Sequence, residues 1–192
     1  MANIFYMKSI FQSIQNFSNE ELDLLDDLIT FRMLKKGELL LTESQVCNEI
    51  VFIKKGILRS FFLNHKGGEI TNCFAFENEF MASFASFITQ EKAEESVQAL
   101  VDTELEILDR KALEKLYQSG FNWQETGRKL TELEFVNLHK RMVSFQKLSG
   151  AERYQELYKN HQNYLQLIPL QYLASYLGVS PRHLSRIRKA VL

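Results

Sequence analysis

The residues of this chain best suited to direct chemistry lie near its C-terminal end, in IPLQYLASYLGVSPRHLSRIRK, residues 168–189. Arg182, His183, Ser185, Arg186, Arg188 and Lys189 crowd around two apolar residues, Leu184 and Ile187, placed three apart. Guanidinium and ammonium groups at that density suit phosphates, and an arginine's forked donors also match a guanine edge. The chemistry implied is recognition of a polyanion by one helix face.

Two short helices and a tight turn would position those groups. Pro169 suits a helix start, where its missing N–H is not needed. Leu170, Leu173, Ala174 and Leu177 form an apolar face at helical spacing. Gly178 follows, where a left-handed residue ends a helix at least cost. Ser180 is placed to cap a second helix that opens with Pro181. The small Ala174 allows a close crossing, and cap, turn and spacing agree on a helix-turn-helix that reads DNA. The plainer alternative is a basic amphipathic helix lying on its own domain.

Charge is sorted along the chain. The net charge is −1 over 192 residues. Residues 1–138 hold 14 Lys/Arg and 22 Asp/Glu, a balance of −8; residues 139–192 hold nine and two, a balance of +7. Only the rear is therefore built to meet a polyanion. A hydrophobic content of 45% with 15 Phe supports a packed core. No run of apolar residues is long enough to span a membrane. The N-terminus lacks the features of a signal peptide, which points to the cytoplasm. Cys47 and Cys73 are too few for a disulfide scaffold or a four-thiolate cluster and read as buried thiols. The four histidines form no metal spacing, so no metal is expected.

The front half starts with a helix carrying a capping box, Ser18 and Glu21. Short strands follow: 31–34, 39–42, 49–54, 57–63, 69–76, 96–100 and 104–108. Turns at Lys35-Lys36-Gly37, Lys54-Lys55-Gly56 and Asn64-His65-Lys66-Gly67-Gly68 separate several of them. This spacing predicts an antiparallel barrel or jelly roll. Asp109 caps a helix over 110–118. A long helix over 122–147 carries Trp123, Leu130, Leu133, Val136, Leu138, Met142, Val143 and Phe145. Its heptad-like line through Trp123 and Leu130, broken by Asn137, reads as a dimer seam or as a helix buried in its own monomer. Leu148-Ser149-Gly150 breaks it as a hinge, and a helix over 151–161 follows. The fold class is thus α+β. The divisions are 1–120 (sensor), 121–148 (dimerisation helix) and 149–192 (helix-turn-helix).

The chain resembles the Crp/Fnr family of bacterial transcription regulators over essentially its whole length. The resemblance rests on Lys36-Gly37-Glu38-Leu39-Leu40, Ile50–Gly56, Glu77-Asn78-Glu79-Phe80, Leu177-Gly178-Val179-Ser180 and Leu184-Ser185-Arg186-Ile187. It implies a homodimer whose roll senses a small effector and whose C-terminal helices bind double-stranded DNA. RNA polymerase is an implied partner. At the DNA end, Ser180, Arg182, His183, Ser185, Arg186, Arg188 and Lys189 are the expected contacts. Arg186 matches the family's second arginine. Pro181 replaces a base-reading residue, Arg182 stands where the family often has an acidic reader, and the β-hairpin wing is not expected in full.

The resemblance also locates an effector pocket at Asn78, Glu79, Phe80, Met81, Ala82, Ser83, Lys92, Glu95, Ser96 and Val97. The family's cyclic-nucleotide cassette pairs a Phe-Gly-Glu turn with an Arg-Ser-Ala segment. Here Asn78 replaces the glycine, and Glu95-Ser96-Val97 stands where the arginine would be. A carboxylate repels a phosphate and removes a charge-assisted forked pair. Lys92, three residues away, offers a point charge in its place. Three readings stay open: a cyclic nucleotide held by altered contacts, a vestigial pocket filled by Phe84 and Phe87, and a different effector, uncharged or cationic. No fixed cofactor is expected. His65 is a weak haem-ligand candidate, and neither cysteine has a basic neighbour to mark a reactive thiol. Enzymatic motifs such as a phosphate-binding glycine loop, a nucleophile elbow or paired catalytic carboxylates are missing, so the chain reads as a non-enzyme. The alternative function is a ligand-binding adaptor whose terminal helices bind protein.

Overall fold

The computed structural model describes residues 7–191. Two helices, α1 (Met7–Ile14) and α2 (Asn19–Leu28), precede the strands. Five strands follow: β1 (Thr30–Leu34), β2 (Leu39–Leu41), β3 (Glu49–Lys55), β4 (Leu58–Leu63) and β5 (Glu69–Ala75). After β6 (Phe80–Met81) come a short helix α3 (Phe84–Thr89), β7 (Ser96–Ala99) and β8 (Thr103–Asp109). The remainder is helical: α4 (Arg110–Ser119), α5 (Phe121–Lys147), α6 (Gly150–Leu165), α7 (Leu170–Tyr176) and α8 (Pro181–Val191).

The strands form two antiparallel four-stranded sheets, ordered β1-β8-β3-β6 and β2-β7-β4-β5. No ladder joins the sheets among the described residues, so the roll is a two-sheet jelly roll and the closed barrel is not formed. Between the sheets lie Val51, Ile53, Leu105 and Ile107 from one and Leu58, Ala75, Val97 and Ala99 from the other. Outside the first sheet, α1, α2, α4 and the start of α5 bury Phe52 and Leu108 beneath Met7, Phe11, Leu25, Leu116 and Trp123. Outside the second, Ile57, Phe74, Phe76 and Leu100 share one apolar cluster with Tyr154, Leu157, Leu173, Leu177, Leu184 and Ile187.

Local caps set the helix ends. Ser18 and Glu21 make a reciprocal capping box at α2, and Asp109 Oδ1 accepts from the Ala112 N–H at 2.7 Å. A second capping box, Ser149 with Glu152, starts α6 directly after the extended Leu148, where the sequence marks the break. The strands agree with expectation to within one or two residues. The sequence reading missed α1, α3 and β6: α1 has no cap signal, and a two-residue strand is too short to show alternation.

Helix α5 is packed on the roll at its start and exposed over its middle. Trp123 is buried and Leu130 packs beside it against the protein's own roll. Residues 131–140 are all exposed. Leu133, Phe135, Val136, Leu138, Met142 and Phe145 are exposed on this helix, and Phe135, Leu138, Met142 and Phe145 among them form a line with steps of three, four and three residues. The expected line through Trp123, Leu130 and Asn137 is one helix face away, because Trp123 fills a gap between α4 and the N-terminal helices.

At His161 the helix α6 kinks, with φ −136° and ψ 31°, and the imidazole stacks on Phe76 with centroids 4.1 Å apart. Burial holds this imidazole below its ordinary value. An opened chain therefore takes up a proton that the packed chain resists, and stability from this contact is lost as pH falls below about 6.5. Urea midpoints measured at roughly pH 7.5 and 5.5 are expected to fall with acid in the parent. The variant His161→Phe is expected to lose that share of the decrease.

Candidate functional site

Helix α8 buries Leu184 and Ile187 and turns Arg182, His183, Ser185, Arg186 and Lys189 to solvent, with Arg188 half-buried. Three local features aim it. Gly178 adopts φ +65° and ends the α7 turn. Ser180 Oγ accepts from the His183 N–H at 3.2 Å, and Pro181 opens the helix. Leu173, Ala174 and Leu177 of α7 are buried against it, while Leu170 is half-buried. Ser180, expected to touch DNA, uses its hydroxyl to cap the helix.

Two arginines of the basic rear hold helices together, and three other cations share the open face of α8. Arg141 donates to the Tyr176 carbonyl at 3.4 Å and lies 4.0 Å from that residue's ring centroid. Arg153 donates to the Leu177 carbonyl from Nε at 3.1 Å and from Nη2 at 2.8 Å, and also to the Leu148 carbonyl. These two arginines satisfy the open carbonyls at the end of α7 and tie it to α5 and α6. The exposed face of α8 holds Arg182, Arg186 and Lys189 on one helix surface.

The residues expected in the effector pocket are divided among three places. Ala82, Ser83 and Val97 line a cleft of about 450 Å³ at one end of the roll, together with Leu40, Leu41, Cys47 and Arg32. Arg32 pairs with Glu49 through two hydrogen bonds of 2.8 and 2.7 Å. Met81 lies in the adjoining core. Near the β4–β5–β7 side, Glu95 is half-buried and accepts from Ser60 Oγ and from Asn72 Nδ2, the latter at 3.1 Å. Ser96 Oγ accepts from the Glu43 N–H at 2.9 Å.

Asn78 and Glu79 belong to the turn between β5 and β6, and Phe80 opens β6. Asn78 has φ +70°, and Glu79 Oε2 accepts from the Phe76 N–H at 3.0 Å. Burial raises the Glu79 carboxyl above the usual range. Phe80 packs outward on Phe11 and Phe52. Lys92 is exposed, and its backbone bridges to Val46. Phe87 is buried in the roll's core and Phe84 is half-buried.

Both cysteines are free. Burial raises the Cys47 thiol and pushes that of Cys73 up to about 12, so neither is a thiolate at neutral pH. Among the described residues no group of three or more His, Cys, Asp or Glu is placed to hold a metal ion. No described helix is long and apolar enough to cross a membrane.

Residues 31–119 match the cyclic nucleotide-binding domain. No curated protein sequence matches the chain. Among solved structures, FixK2 from Bradyrhizobium japonicum superposes with a TM-score of 0.72 at 18% identity, covering 85% of this chain and 84% of that one. A putative Crp/Fnr-family transcriptional regulator from Eubacterium rectale gives 0.68 at 18% identity, over 91% and 83%. The Thermus thermophilus Catabolite Activator Protein gives 0.58 at 20% identity, over 93% and 85%. Residues 31–119, similar to that domain, thus lie within a fold shared with these solved structures, and the long helix 121–147 follows them.

Sequence reasoning missed Arg32 and Cys47 at the cleft and Arg59 beneath α7. The available signal is a lone arginine within an apolar strand, as in FRML and LRSFFL. Such a residue must reach a partner or a cavity.

Helix α8 separates packing from recognition. Leu184→Ala is expected to lower the unfolding free energy by about 2–4 kcal/mol, because Leu184 is fully buried. Arg186→Ala, at an exposed position, is expected to stay within about 0.5 kcal/mol of the parent. Urea denaturation followed by circular dichroism checks both values.

Proposed function

We propose that the chain is a homodimeric, DNA-binding transcription regulator of the Crp/Fnr type, with a roll that answers a small effector through altered contacts. The exposed cationic face of α8 carries this reading. It presents three cations and two shorter polar side chains on a helix held at its base by a capped turn. That arrangement suits phosphate contacts from Lys189 and Arg188 and a base-edge contact from Arg186. The named regulators that share the fold support it. Residues 1–120 are assigned to sensing, 121–148 to dimerisation and 149–192 to DNA. A cytoplasmic site of action and contact with RNA polymerase follow from the same reading.

The exposed line Phe135, Leu138, Met142 and Phe145 fits self-association. Its 3-4-3 spacing is that of a coiled-coil seam, and an uncovered apolar stripe of this kind is unfavourable in water. The effector is proposed to differ from a cyclic nucleotide in its contacts. Glu95 is held by Ser60 and Asn72. The cleft's cation is Arg32, already paired with Glu49. A phosphate has no free guanidinium waiting among these groups.

Two measurements test the reading. Duplex DNA is expected to bind with an affinity that falls steeply as salt rises. Within a selected operator, Arg186→Ala is expected to lose about 1–3 kcal/mol, while Lys189→Ala weakens all sequences and lowers the salt slope by about 1. No salt-dependent DNA binding would favour the adaptor. Sedimentation of Leu138→Glu is expected to show monomer where the parent shows dimer; an unchanged dimer would move the interface off this line.

A further inference from the structure

Arg59 of β4 is fully buried on the outer face of the second sheet. Its guanidinium lies between two rings, 4.1 Å from the Phe61 centroid and 3.5 Å from that of Tyr172 in α7. Nη2 donates to Glu69 Oε2 at 2.7 Å and to Gln98 Oε1 at 3.0 Å. Nε and Nη1 are equally buried and have no acceptor. On the neighbouring strand, Thr71 donates its N–H to Ser175 Oγ of α7 at 3.0 Å, while its own buried Oγ1 has no partner. Arg59 and Thr71, on neighbouring strands beneath α7, thus leave three buried polar atoms unsatisfied.

We propose that Arg59 is a positioning residue that latches α7 onto the roll, in a docked state poised to open. Two opposed forces meet there. The cation over Tyr172 and the apolar packing of Phe74 on Tyr176, with ring centroids 5.0 Å apart, pull α7 onto the sheet. The unpartnered N–H groups and hydroxyl lose their water on docking and regain it on opening. The near balance lets a modest signal in the roll or in α5 move the helix pair. Arg141 carries α5 to the same place through the Tyr176 ring and carbonyl. The consequence for DNA, re-aiming α8, rests on the function proposed above; the latch itself does not.

The Thr71 amide reports the latch directly. Strand β5 is at a sheet edge, and this N–H is held by Ser175 across the contact. Amide hydrogen exchange of the full chain is expected to show Thr71 opening faster than Val51 and Ile107, which pair in the interior strands β3 and β8. Tyr172→Ala is expected to speed Thr71 exchange by about tenfold or more without altering Val51 and Ile107. Arg59→Met keeps much of the side-chain volume but removes the cation over Tyr172 and the bonds to Glu69 and Gln98, so it is expected to speed Thr71 exchange by about tenfold without altering Val51 and Ile107. Thr71 exchanging in step with Val51 and Ile107 in the parent would overturn the proposal, and that arm needs no variant to fold. An unchanged or slower Thr71 exchange in Arg59→Met would overturn it too, because the hold on α7 would then not run through Arg59. Duplex binding by the parent is a separate measurement: its failure removes the DNA reading and leaves the latch standing.

Discussion

Strands β4 and β5 carry side chains that need cover on both faces, and this constraint organises the molecule. Leu58 and Ala75 point between the sheets, while Ile57, Phe74 and Phe76 point outward. A sheet so patterned is unfavourable with one face in water, at roughly 25 cal/mol for each Å² of apolar area left exposed. The C-terminal helices supply the missing cover. Once α6 and α7 lie on that face, α8 can bury only Leu184 and Ile187, and its charged residues are left outside. The cationic face is therefore a consequence of how the roll completes its second layer.

The same cover separates restraint from recognition among the cations. Arg59 serves the contact between α7 and the roll, while Arg141 and Arg153 tie α7 to α5 and α6, each engaging a ring or an open carbonyl. Arg182, Arg186 and Lys189 serve none of these and stay exposed. Buried guanidinium groups tolerate such positions because a planar, delocalised ion can stack while it donates. A charge balance of +7 in the rear thus overstates what a polyanion would meet.

The carboxylates expected at the effector pocket lie away from the cleft, and each is already engaged. Glu95 has recruited donors from two strands, and Glu79 has turned back to hold its own turn. Within the proposed regulator, the cleft beside Ala82, Ser83 and Val97 is the place where an effector would alter the roll.

Much of this was legible in the one-dimensional pattern. Helix caps, the Gly178 turn, the alternation of the strands and the apolar spacing of α7 and α8 are local, and each depends on neighbours within four residues. So the order of elements and the identity of the outward cations could be read directly. What depends on distant residues could not. Trp123 and Leu130 face inward because α4 and the N-terminal helices happen to meet there, which shifted the exposed line of α5 to Phe135, Leu138, Met142 and Phe145. Residues 78–97 are close in sequence, yet β6 and α3 send them to a turn, a cleft and the β4–β5–β7 side of the second sheet. Arg59 and Thr71 became buried only when α7, about a hundred residues later, closed over them. Side-chain period is a property of one segment, whereas burial belongs to the pair of surfaces that meet, and only the folded chain brings those surfaces together.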